Sequence, residues 1–141
     1  MNIRNYRVKE RGQSMTELAI SMVFLLILLA GVVDIGRALF AFVALRDAAE
    51  EGAIYGSIYP YDTPGIIDRV RHASWGPVNL ANTSDVFVTV TTVGAACEGN
   101  IVRVNVTHQL PIVTPFMGSI LGSQTININA TIDARILRPP C

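Results

Sequence analysis

Arg11-Gly12-Gln13-Ser14-Met15-Thr16-Glu17 runs directly into Leu18-Ala19-Ile20-Ser21-Met22-Val23-Phe24-Leu25-Leu26-Ile27-Leu28-Leu29-Ala30-Gly31-Val32-Val33. A glycine is followed five residues later by a single acid, and then by sixteen residues without a charge. Such a run approaches the ~17–25 apolar residues a bilayer-crossing helix needs. Glu17 therefore stands one turn inside a membrane helix, where an ionised carboxylate is costly unless something pairs with it. That cost asks for a functional reason.

The twelve residues through Gly12 hold Arg4, Arg7, Lys9 and Arg11 against Glu10, a net of +3. The rest of the chain has 7 basic and 10 acidic residues, a net of −3, so nothing in it suggests a nucleic-acid partner. Basic residues flanking a span stay on the cytoplasmic side, which predicts an inside N-terminus and an outside head. The leader resembles the first part of a secretory signal, but the apolar core is longer than usual and no A-x-A site closes it. A plain uncleaved signal anchor leaves Gly12 and Glu17 unexplained.

The helical pattern continues to about Ile58, with Leu39, Phe42, Val43, Leu45 and Ala49 read as the apolar stripe and Arg46, Asp47, Glu50 and Glu51 on other faces. No proline interrupts Gln13 to Pro60. About 45 residues give a helix of roughly 68 Å, more than twice a hydrocarbon core. The inner half spans and the outer half must pack on something outside. Asp34 and Arg37, three apart, share a helical face and can pair. The pair either marks the outer membrane boundary or bonds an adjacent helix in an assembly. Gly52 and Gly56, four apart and beyond the bilayer, suit close packing of a strand or helix.

Past the helix end at Pro60-Tyr61-Asp62 with Pro64-Gly65, a short amphipathic helix is expected from Ile66 to Ser74, stopped by Trp75-Gly76-Pro77. Three period-two segments follow at 85–93, 101–108 and 125–136, each with one apolar and one polar face. Such alternation predicts an antiparallel sheet covered on one side. The simplest cover is the outer half of the long helix. The expected fold class is α+β, a helical stem carrying a three-stranded head. The link from Pro111 to Gly122 is an apolar loop or a helical turn, and the default reading tucks it into the core rather than leaving it as a contact patch. Cys97, in the first hairpin loop, and Cys141 either form a disulfide tying the C-terminus to that loop or remain two thiols.

The Gly12 start resembles a type IV prepilin, whose basic leader is cut after a glycine and whose mature chain carries glutamate at its fifth position. On that resemblance Gln13 is the new N-terminus and Glu17 the fifth residue, free to pair with the released ammonium group of a neighbouring subunit. Val33-Asp34-Ile35-Gly36-Arg37 and Ala48-Ala49-Glu50-Glu51-Gly52-Ala53 narrow the likeness to the TadE-like pseudopilins, which have an acid-x-G-R element and an A-A-x-E-G-A segment. Here an acid, Glu50, precedes Glu51-Gly52 where the family commonly has a basic residue. The likeness covers residues 11 to 56. It implies a subunit of a tight-adherence (Flp-type) pilus system, cut by a prepilin peptidase and held in the inner membrane before assembly. Assembly with other pilin subunits runs through the apolar helix and serves adhesion and biofilm formation. The rival reading is a signal-anchored envelope binding module, neither cleaved nor polymerised. The same start also opens major fibre subunits.

The residues carry no catalytic motif, and Cys97, His108 and Cys141 lack the paired spacings of a zinc site. His72 is placed on the short helix and His108 at a strand end. No enzyme activity, metal or cofactor is expected.

Overall fold

The computed structural model describes residues 6–73, 76, 78–115 and 117–141, with side chains from Gly12 onward. The basic side chains of the leader, Ser74, Trp75, Pro77 and Phe116 lie outside the described residues. Helix α1 runs unbroken from Tyr6 to Ile58. Its 53 residues measure about 80 Å. It begins seven residues before Gln13, so the Gly12–Gln13 peptide lies within helix. Its N-terminal part is long and apolar enough to cross a membrane, with mean hydropathy 2.7 over its most apolar window and none of that window buried against the chain.

Tyr59 closes the last turn of α1 through its N–H to the Tyr55 carbonyl (3.0 Å), and Pro60 can donate no further bond. Helix α2 follows at Thr63–His72, starting three residues earlier than the apolar pattern suggested. The reason is a cap: Asp62 accepts from the Gly65 N–H (3.0 Å), and Pro64 occupies the first turn, where no N–H is required.

Strands β1 (Val86–Val93), β2 (Ile101–Pro111) and β3 (Thr125–Arg135) form an antiparallel sheet in the order β1-β2-β3. β2 continues three residues past His108, pairing Leu110 with Ile126 and Pro111 with Thr125. His108 therefore lies within the strand, not at its end. Val86, Val102, Val104, Val106 and Ala130 are buried on the helix side, while Phe87 and the Arg103–Asp133 pair face out.

The outer half of α1 covers this sheet, with α2 closing the side near β1. The buried stripe of α1 is Ala41, Ala44, Leu45, Ala48, Ala49 and Ala53. Leu39, Phe42 and Val43, read from the sequence as part of that stripe, are exposed. Alanines let the helix lie close on a sheet already filled by valines, and larger side chains there would hold it off. Gly52 and Gly56 serve the same closeness. A Cβ at Gly52 would collide with Val70 of α2, and one at Gly56 would lie 3.0 Å from Ile66 and 3.2 Å from Val102.

Leu137, just after β3, donates its N–H to the Ser57 carbonyl (2.7 Å) at the far end of α1. At the other end Arg37 Nη1 donates to the Pro111 carbonyl (3.2 Å). The β2–β3 connection is thus the part of the head nearest the apolar run.

Candidate functional site

At the N-terminal end, Glu17 is exposed, and Oε1 lies 3.5 Å from Nε2 of Gln13, one turn away. Among the described residues it has no cationic partner. Gln13 also accepts from the Thr16 hydroxyl through its carbonyl (2.7 Å). Beyond Glu17 the apolar side chains point outward all round: Phe24 is 71% exposed and Leu25 65%. A helix apolar on every face needs a lipid or protein environment to cover it.

Asp34 and Arg37 are brought together, Oδ1 to Nη1 at 3.3 Å, and both also hold the head. Asp34 accepts from the N–H of Thr114 (2.7 Å), the hydroxyl of Thr114 (2.6 Å) and the N–H of Val113 (3.0 Å). Arg37 donates to the Pro111 carbonyl from the same Nη1. One turn of helix therefore clasps the end of β2 and the chain beyond it. Charge-assisted bonds to backbone N–H groups are among the stronger ones available. The loop partners, Pro111, Val113 and Thr114, were missed by sequence reasoning. A single threonine between Pro111 and Pro115 in an otherwise apolar link is the only local sign of them.

The rest of that link corrects a second expectation. It forms the helical turn, a short helix α3 at Met117–Leu121, but this has no buried residue and does not tuck into the core. Val113, Ile120 and Leu121 are 63%, 75% and 53% exposed. The core between α1 and the sheet is already filled by the strands' own side chains, so the link has nowhere to insert.

At the opposite end Cys97 and Cys141 are disulfide-bonded, with Cα atoms 5.1 Å apart. The backbone supports the same junction: Glu98 donates its N–H to Pro139 (2.7 Å) and Gly99 to Ile136 (3.0 Å). Gly94 and Gly99 have φ near +90°, a conformation glycine adopts without a Cβ clash, and they shape the hairpin loop that carries Cys97.

The α1–α2 corner is polar. The Tyr55 hydroxyl donates to Asp62 Oδ2 (2.8 Å), and Arg69 lies 5.2 Å over the Tyr55 ring. The Tyr55 hydroxyl, followed by the Gly65 N–H, holds the Asp62 carboxyl below its ordinary value, and the same bond pushes the Tyr55 hydroxyl up. On the outer sheet face Arg103 donates twice to Asp133 at 2.7 Å, lowering the Asp133 carboxyl.

His72 is exposed on α2, its Nδ1 3.1 Å from Asp68 Oδ1. His108 faces the helix side of the sheet, and its Nδ1 is buried without a hydrogen-bond partner. Among the described residues no three His, Cys, Asp or Glu side chains gather as a metal site would require.

Residues 12–53 match the family model described as TadE-like protein. The match begins at Gly12 and spans the apolar run, the Asp34–Arg37 clasp and the alanine stripe, and ends one residue past Gly52. No curated protein and no solved structure matches the chain.

Proposed function

We propose that this TadE-like chain is a pilin-like structural subunit of a tight-adherence pilus system, inserted as a single-pass precursor with its head outside. A prepilin peptidase removes residues 1 to 12, and the helix then packs with those of other pilin or pseudopilin subunits. The chain is the substrate of that peptidase and no catalyst. In an assembled pilus it contributes to adhesion and biofilm formation at the cell surface.

The observation that carries this reading is the amount of apolar helix left bare. A single span needs ~20 residues. Here exposed apolar side chains continue past Arg37 to Leu39, Phe40 and Val43, beside a head that leaves that face of α1 uncovered. Neighbouring helices are the natural cover for such a surface. Glu17 supplies the polar determinant. Cleavage after Gly12 frees an amine at Gln13, and a carboxylate in apolar surroundings is far less costly once such an amine from a neighbour lies beside it. One buried ionic pair also specifies axial register, as single polar groups do between packed helices.

Intact mass of the protein from cells with an active peptidase tests the first step, with a mature chain beginning at Gln13 expected. Retention of Met1 to Gly12, with the protein staying in the membrane fraction after shearing, supports a tethered solitary module instead. Glu17→Ala should insert normally and fail to enter sheared filaments; normal entry refutes the pairing.

A further inference from the structure

We infer that the described residues of the β2–β3 connection, 112–115 and 117–124, form a second membrane contact: its apolar tip enters the lipid leaflet on the head's side of the bilayer. This rests on α1 being a membrane span.

β2 runs back along α1 toward the apolar run, and the clasp pins Val113 and Thr114 to Asp34, the first residue after that run. Counted from Gln13, one turn before Glu17, the 21 residues to Val33 rise about 31 Å, close to a hydrocarbon core of ~30 Å. Asp34 therefore lies at the lipid boundary, with Arg37 one turn beyond it. Beyond Arg37 the next charge is Arg46, so nothing resists that depth.

Chemistry agrees with position. A carboxylate at the edge of lipid needs neutralising, and Asp34 receives three donors from the head together with the guanidinium of Arg37. The tip that supplies those donors carries no charge. Between Arg103 and Asp133 the sequence has no Asp, Glu, Lys or Arg. Val113, Ile120 and Leu121 project from it with more than half of their surface exposed. Three large apolar side chains held at bilayer height, without a charged rim to select a protein, fit acyl chains.

The test uses the full-length disulfide-bonded chain in phosphatidylcholine vesicles, with Trp75→Phe as background and one tryptophan introduced at a time. Ile120→Trp should show blue-shifted emission, quenched by brominated phosphatidylcholine. Leu28→Trp, within the span, should be quenched more strongly, and Val93→Trp, at the far end of the head, should not be quenched. Quenching at Leu28→Trp without quenching at Ile120→Trp overturns the proposal and leaves the span intact. Silence at both positions overturns the span and the proposal together. Blue-shifted Ile120→Trp emission that ignores brominated lipid but grows with protein density assigns the tip to a second copy of the chain and also overturns it. The unaltered protein gives an independent reading. A carbene-generating phosphatidylcholine should label the 112–124 peptide, and labelling confined to α1 refutes the contact.

Discussion

Removing the Asp34 carboxylate isolates the clasp from the rest of the fold. Asp34→Ala leaves the N–H groups of Val113 and Thr114 and the buried Thr114 hydroxyl without their acceptor. Bonds to a charged acceptor contribute ~1.5–3 kcal/mol each. The three share one carboxylate on a link that is open to solvent on its far side, so their sum overstates the loss. About 3 kcal/mol is a fair total, equivalent to roughly a 100-fold change in an opening equilibrium. Amide hydrogen exchange at Val113 and Thr114 should accelerate by about that factor, while Val104 and Ile132, in the paired strands, keep their protection. Asp34→Asn retains one acceptor oxygen and should give a smaller acceleration. Arg37→Ala removes only contacts of 3.2–3.3 Å from a partly exposed side chain, worth at most ~1 kcal/mol. Unchanged exchange at Val113 and Thr114 in Asp34→Ala, or a uniform rise across the whole sheet, would refute the local clasp.

Three further outcomes are expected. Cys97→Ser with Cys141→Ser opens a cross-link of sequence separation 44, which the chain-entropy relation values at about 4 kcal/mol; denaturant titration with and without reductant measures it. Gly52→Ala gains ~1 kcal/mol of helix propensity but drives a methyl into Val70, an overpacking cost of ~1–3 kcal/mol. Thermal melting should show net destabilisation, relieved relative to additivity when Val70→Ala is combined with it. The Asp62 carboxyl is depressed below the ordinary 3.8 by the Tyr55 hydroxyl and the Gly65 N–H, so its contribution is complete above that pH and fades as pH falls through the lower folded value. Asp62→Asn should flatten the acid limb of the stability profile, and an unchanged limb would show that the cap carries no pH dependence.

The strands were readable because side-chain alternation is a direct consequence of the pleat, and Val102, Val104 and Val106 all turn inward as that period requires. The long helix was readable from its proline-free apolar period. The helix face that meets the sheet was not. Sequence reasoning favours large apolar residues such as Leu39 and Val43, whereas the sheet selects Ala41, Ala44 and Ala48 for closeness. The start of α2 was hidden because Pro64 reads as a breaker unless Asp62 is recognised as its cap. The clasp was half visible. Asp34 and Arg37 announce a pair by spacing, but their loop partners stand 74 to 80 residues away, and no local periodicity reports a contact of that range. For Gly12, Gln13 and Glu17 the proposed chemistry belongs to a cleaved and assembled form, beyond a single uncut chain.

Because α1 passes from apolar run to head with no proline and no break in its hydrogen-bonded ladder, stem and head form a stiff lever. From Arg37 to Ser57 the arm is about 30 Å long, and a tilt of ~20°, ordinary for a span, carries its far end sideways by about 10 Å. With the apolar run in a bilayer, as proposed, membrane thickness would thereby be converted into the lateral position of the disulfide-tied crown. A force applied to that crown would reach the apolar run as torque, with no joint between them to absorb it.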